Sequence, residues 1–375
     1  MKISSNFDGG NIRVDSLKNI DDIRLSIRPD THSEYLQWFY FRLQGAAGYP
    51  CIMHITNAGE AFEPAGWVGY KACASYDRVH WFRIPTKYDG AKLTLRHTPV
   101  KNSVFYAYFP PFSFEQHQDM IHQAQNSDLC IIEHLGQTVE GRSIDCLIAG
   151  HPAPDKKIIW ILARQHPGET MASWFMKGFI RRLLDRNDPV SRRLLEKAVF
   201  YMIPNMNPDG SVHGNIRTNA AGVNLNREWA DPSQERSPEV FYVLNKMKET
   251  GVDMNLDIHG DEAIPYNFIT TLEGIPGFSN RLKNIQESFI DHWMKISPDL
   301  QNEQGYPKDQ PGEANLEICS KQIAQRFNCL SLTIEMPFKD NLNLPDPVAG
   351  WSPERSVRFG ESVINAIYSV IDMLR

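Results

Sequence analysis

Apolar residues change their rhythm once along this chain, near residue 125. Before that point they fall in short, aromatic-rich stretches with alternation: Tyr35 to Leu43, Cys51 to Thr56, Trp67 to Tyr70, Val79 to Ile84, Lys92 to His97 and Val104 to Phe109. Turn-forming segments such as GAAGYP and KYDG separate them. No long stretch with helical spacing interrupts the series. Several short strands at regular intervals predict a sandwich or barrel, and residues 1–125 are read here as an N-terminal antiparallel β-sandwich.

From residue 126 to residue 375 strands and helices alternate. Ile158 to Ala163 (IIWILA) is a continuous apolar run, as expected of a strand covered on both faces. Thr170 to Arg186 carries Trp174, Phe175, Phe179, Leu183 and Leu184 at helical spacing. Val199 to Ile203, Asp253 to Ile258 and Leu330 to Ile334 read as further strands. Pro238 to Lys248 opens with a proline suited to a helix start and places Val240, Val243, Leu244 and Met247 on one face. Ser352 to Leu374 reads as a closing helix. This alternation predicts an α/β/α domain on a mixed, partly parallel sheet.

Composition narrows the class without naming a chemistry. The chain has 375 residues and a net charge of −6, enough for two or three domains at roughly 150 residues each. Nothing in that charge favours nucleic acid or an anionic membrane as partner. No apolar run reaches the length of a membrane span, and MKISSNFDGGNIRVDS reads as neither signal nor anchor. The six cysteines are scattered without a CxxC pair, so they are expected to be buried, reduced thiols in a cytoplasmic protein.

The chemistry gathers at predicted strand ends, where open α/β sheets bind their ligands. His166 and Glu169 follow one strand directly as HPGE; His259 follows another, 90 positions after Glu169, and Glu335 closes a third within LTIEMPF. Two imidazoles and a carboxylate form a zinc ligand set that leaves a fourth position for water. Glu335 is a carboxylate at the end of an apolar strand, a costly place unless it has work to do. The polar segment Asn205 to Trp229 supplies Arg217 and the pair Asn226-Arg227. One guanidinium can stabilise the oxyanion formed when water attacks an amide. A second, with an asparagine amide, can clamp a carboxylate.

HPGE, NPDG, NLNREW, DIHG and the glutamate of TIEM together resemble the zinc metallocarboxypeptidases of the carboxypeptidase A type, over roughly residues 126–375. WFYFRLQG, HITNAG, AGW, YDRVHWFRIPT and VFYAYFPPFSFE look like the β-sandwich that precedes the catalytic domain in cytosolic carboxypeptidases, the bacterial branch above all. The resemblance implies one zinc ion per chain on His166, Glu169 and His259. It implies Glu335 as general base and then acid, Arg217 on the scissile carbonyl, and Asn226 with Arg227 on the terminal carboxylate of a peptide. Secreted relatives also use a mobile tyrosine; Tyr266 and Tyr306 lie in the corresponding interval, neither in a matching motif. No activation propeptide is apparent. Eukaryotic members of the branch remove glutamates through a basic residue in the side-chain pocket, for which Lys321 and Arg326 are the candidates.

Two other readings share part of this evidence. A zinc amidohydrolase acting on small N-acyl amino acids or peptidoglycan fragments would use the same ligands and arginines. A degenerate hydrolase that only binds a partner would have no chemical need for Glu335 or Arg217.

Overall fold

A computed structural model describes all 375 residues. Ten strands form two five-stranded sheets in the N-terminal part. One sheet runs β1 (Lys2–Ser4), β4 (Tyr40–Gln44), β10 (Ser103–Ala107), β6 (Cys73–Ser75) and β7 (Trp81–Arg83), each strand antiparallel to its neighbour. The other runs β2 (Arg13–Asn19), β3 (Asp22–Ser26), β5 (Cys51–Ile55), β9 (Leu93–His97) and β8 (Thr86–Tyr88). Its β3–β5 pair is parallel, the one departure from an antiparallel sandwich. Alternation explains the packing: in β5, Cys51, Met53 and Ile55 are buried while Ile52 and His54 are half-buried. Trp67 to Tyr70, read from sequence as a strand, is instead the end of a 3-10 turn (Pro64–Trp67) and the bend after it. Trp67 is an anchor, its indole N–H donating to the Ala58 carbonyl at 2.9 Å.

Helix α1 (Phe114–Gln125) leads into a seven-stranded mixed sheet. The strand order is β11 (Cys130–Gln137), β12 (Ser143–Ala149), β14 (Ala198–Ile203), β13 (Lys157–Ala163), β15 (Met254–Asp261), β17 (Leu330–Pro337) and β16 (Phe268–Thr270). The central pairs β14–β13, β13–β15 and β15–β17 are parallel, and the outer pairs are antiparallel. Each face of this sheet has its own core. Ile159, Ile161 and Ala163 join a cluster with Phe175 and Phe179 of α2 (Thr170–Leu183) and with Phe359, Val363 and Ile367 of α8 (Pro353–Val370). Trp160 and Leu162 pack on the opposite face with Val240, Val243, Leu244 and Met247 of α5 (Pro238–Thr250) and with Ile323 of α7 (Cys319–Phe327). The unbroken run IIWILA therefore records a strand with two apolar neighbours rather than one.

The N-terminal sheets pack directly on this second body. Tyr108 stacks on Phe338 with ring centroids 4.4 Å apart. The Arg83 guanidinium donates to the carbonyls of Phe338 (2.9 Å), Trp351 (3.1 Å) and Ala349 (3.1 Å). Gly222 sits at φ +79° with the His32 carbonyl so close that a Cβ would meet its oxygen at 2.2 Å; only glycine fits that approach. All six cysteines are buried and unpaired. No helix is long and apolar enough to cross a membrane.

Candidate metal centre and active-site pocket

Strand β13 ends at Ala163, and the chain turns through Arg164 in left-handed conformation (φ 60°) into HPGE. Arg164 is held there by its own buried bonds, donating to the carbonyls of Pro167 (2.9 Å) and Phe112 (2.8 Å). Glu169 occupies the N-cap position of α2, yet its carboxylate caps nothing. It turns instead toward the two histidines. His166 Nδ1 lies 2.6 Å from one Glu169 oxygen, His259 Nδ1 2.8 Å from the other, and the two Nδ1 atoms are 3.2 Å apart. One ligand atom from each of the three residues lies within 4.8 Å of the others.

The far nitrogen of each ring decides what these near nitrogens offer. His166 Nε2 faces the Asn224 carbonyl oxygen at 3.0 Å, and His259 Nε2 faces an Asp257 carboxylate oxygen at 3.0 Å. Both partners accept, so Nε2 carries the hydrogen on each ring and each Nδ1 presents a bare lone pair to a common point. Asp257 is itself held by Gln165 Nε2 at 2.7 Å, and Gln165 by the Trp229 indole at 2.8 Å. Burial pushes the His166 imidazole down to about 4, against the pull of Glu169, so it stays neutral. Burial also opposes a proton on His259, but Asp257 and Glu169 outweigh it, so that without a cation in the site Nδ1 of this ring would itself take a proton. Two lone pairs and two buried carboxylates require a cation, and the donor set fits zinc.

Glu335 lies beside this centre because β17 pairs with β15 in parallel register, His259 opposite Glu335. Its side chain is buried with Oε2 free of any partner, and burial pushes its carboxyl well above the ordinary range. A pocket of about 260 Å³ opens over these residues. Arg217, Asn226, Arg227, Glu262, Tyr306 and Lys321 share its wall with His166, Glu169 and Glu335. Burial and then the nearby charge of Arg217 lower the Arg227 guanidinium below its usual value. Two guanidinium groups this close mark a place for an anion.

The structure thus brings His166, Glu169, His259, Glu335, Arg217, Asn226 and Arg227 together. It separates the two basic candidates. Lys321 is buried in the pocket wall, its ammonium 2.7 Å from Asp309 and bonded to the Thr271 carbonyl. Arg326 is outside the pocket, where its guanidinium meets the Ala230 carbonyl at 3.4 Å. The tyrosines separate too: Tyr306 lines the pocket and donates to Asp261 at 2.6 Å, whereas Tyr266 does not reach it. Sequence reasoning missed Asp257, Asn224 and Gln165. Asp257 was visible in principle, since a residue two before His259 on a strand shares its face.

The fold and the centre define a zinc metallocarboxypeptidase. A family model described as "Cytosolic carboxypeptidase N-terminal domain" matches residues 3–109, and one described as "Zinc carboxypeptidase" matches residues 118–349; the chain belongs to the zinc carboxypeptidase family. It is 53% identical to a Shewanella denitrificans protein named as a candidate carboxypeptidase A, whose crystal structure superposes with a TM-score of 0.99 over 100% of both chains. It is 44% identical to a metallo-carboxypeptidase from Pseudomonas aeruginosa, solved in complex with (2-guanidinoethylmercapto)succinic acid, with a TM-score of 0.97 over 100% of both chains. Mouse cytosolic carboxypeptidase 6 is 30% identical over 70% of this chain, which spans 54% of the mouse protein's length.

Proposed function

We propose that this protein removes the C-terminal residue of peptides or protein tails, with a preference for acidic residues. The convergence of His166, Glu169 and His259 on one point, with Glu335 in register beside it, carries the reading. His166, Glu169 and His259 would hold the zinc ion. A zinc ion held there would lower the pKa of a water molecule to near neutral.

The remaining steps belong to the side chains. Glu335 takes the proton of the attacking water and passes it to the departing amine. Its buried, unpartnered oxygen suits that exchange, because no competing donor occupies it. Arg217 donates to the carbonyl oxygen as negative charge develops there. Asn226 and Arg227 hold the terminal carboxylate and so restrict cleavage to the last peptide bond. Asn226 is held in place by a bond from the Cys319 backbone N–H to its side-chain oxygen at 2.9 Å, which leaves its amide N–H₂ for a ligand.

Lys321 supports the acidic preference. Its ammonium is buried in the pocket wall, with Thr270 and Thr333 also lining the pocket. A glutamate or aspartate side chain entering there gains a buried cation that Asp309 now shares, whereas an apolar one gains no charged partner. The relationship to cytosolic carboxypeptidases supports a cytoplasmic address. Digestion of a C-terminally randomised peptide library by the zinc-loaded protein, with released amino acids read by mass spectrometry, tests the reading. Glutamate and aspartate are expected to dominate; predominant release of leucine, phenylalanine, lysine or arginine would remove the acidic preference.

A further inference from the structure

Arg217 owes its place to loops of the N-terminal part. It lies in the irregular segment 215–218, which makes no helix or strand of its own. The backbone N–H groups of such a buried segment need acceptors from elsewhere. One side chain provides them. Asp30, 4% exposed, accepts from the backbone N–H of Ile216 (2.7 Å), Arg217 (2.8 Å) and Thr218 (2.9 Å), and from the Thr218 hydroxyl (3.1 Å). Thr31 adds its N–H and hydroxyl to the Asn215 side-chain oxygen at 3.1 and 3.2 Å. At its other end, the Arg217 guanidinium lies over the Phe62 ring, 5.0 Å from the centroid, and 5.9 Å from that of Tyr35. Those two rings brace one another edge-on at 5.7 Å. Cation–π contact fixes a guanidinium without using its N–H donors, which stay available to a ligand. Neither Asp30, Tyr35 nor Phe62 lines the pocket itself.

We propose that Asp30 is a positioning residue for hydrolysis: its carboxylate fixes the Arg217 backbone so that the guanidinium, seated on Phe62 and Tyr35, meets the developing oxyanion. The N-terminal part, through these loops, then belongs to the catalytic apparatus. The inference rests on the carbonyl-polarising role given to Arg217 above. Clustering three donors on one acceptor makes the segment rigid, and orientation is what a transition-state donor needs, since a 1 Å misplacement can cost about 100-fold in rate.

A double-mutant cycle on the full-length, zinc-loaded protein tests it. Asp30→Ala, Arg217→Ala and the double variant are assayed for kcat and KM on the best-cleaved peptide of the library, with zinc content and thermal midpoint measured alongside. Asp30→Ala is expected to lower kcat about 30- to 100-fold with KM within about 3-fold. In the Arg217→Ala background the same change should cost less than about 2-fold, because its effect runs through the missing guanidinium. Asp30→Asn keeps one acceptor oxygen but turns its amide N–H₂ toward a backbone donor, so its kcat should fall between those of the wild type and Asp30→Ala. If Asp30→Ala fails to fold, Asp30→Asn read against Arg217→Ala gives the cycle. Losses that multiply, or a loss confined to KM, overturn the proposal while leaving the role of Arg217 standing. Wild-type kcat in Arg217→Ala overturns both.

Discussion

His259 and Glu335 stand opposite one another in the parallel pair β15–β17, the pairing that runs from Met254 with Leu330 to Asp261 with Pro337. That register puts the proposed zinc ligand and the proposed base on the same face, at the same level, at the carboxyl ends of two strands. A slip of one residue would turn Glu335 to the opposite face. The placing of Glu335 against His259 is therefore fixed by backbone hydrogen bonding in the sheet and not by a loop.

Asp257 fixes the tautomer of His259 through the same strand. Replacing it with asparagine keeps the shape but removes the charge that holds the ring's Nε2–H. Zinc affinity, measured by chelator competition, is expected to fall about 10- to 100-fold. Unchanged affinity would mean that Asp257 serves the fold alone.

In the proposed reading Arg227 and Asn226 hold the substrate's terminal carboxylate. Arg227→Ala should raise KM about 10- to 150-fold, the loss of one or two charge-assisted bonds, with a smaller effect on kcat. Capping the substrate as a C-terminal amide should cost the wild-type protein as much and the variant little more. Equal cleavage of amidated and free peptides by the wild type would contradict the clamp.

Lys321 shares its charge with Asp309 at 2.7 Å. Lys321→Met should lower kcat/KM about 10-fold or more for peptides ending in glutamate, and far less for those ending in leucine. Asp309→Asn frees the ammonium and should raise the preference for glutamate severalfold. Parallel changes for both peptide classes would place Lys321 outside substrate selection.

His117 gives a pH dependence independent of the metal. It lies on the inner face of α1, its ring 5.8 Å from Phe114. Burial, helped by the charge of Arg164, pushes its imidazole down to about 4. The unfolded imidazole takes a proton near pH 6.5 and the folded one only near 4, so between these values the unfolded chain binds more protons. Stability is fully present above pH 6.5 and falls as the pH drops, by about 3 kcal/mol at pH 4 from this group. Urea midpoints between pH 7 and 4.5 should fall less steeply in His117→Leu than in the wild type. Identical slopes would rule His117 out as the cause.

The catalytic half was largely legible in the sequence because its strands are buried on both faces. β13, β14, β15 and β17 appear as apolar runs; His166 and Glu169 follow β13 by three and six positions, and His259 and Glu335 lie near the ends of β15 and β17. Where burial is one-sided or slight, the pattern faded. β2, mostly exposed or half-buried, reads as RVDSLKN and gave no strand signal. The amphipathic helix α6 (Asn280–Ile296) was missed although Leu282, Ile285, Phe289 and Trp293 recur at helical spacing. Distance was the other limit. Asp30 lies 187 positions before Arg217 and Asp309 lies in a loop ahead of Lys321, so no local rhythm could pair them. The same distance hid which of Lys321 and Arg326 faces the pocket.

In the proposed reaction one zinc centre, served by Glu335, cleaves the last peptide bond. Mass spectrometry of a defined peptide incubated with wild-type and Glu335→Gln protein, each assayed for zinc, tests it most directly. The wild type should carry about one zinc per chain and shorten the peptide by single residues from its C-terminus. Glu335→Gln should hold the same zinc and lose activity about 100- to 10,000-fold. Wild-type release by Glu335→Gln, or by zinc-free protein, would contradict the account.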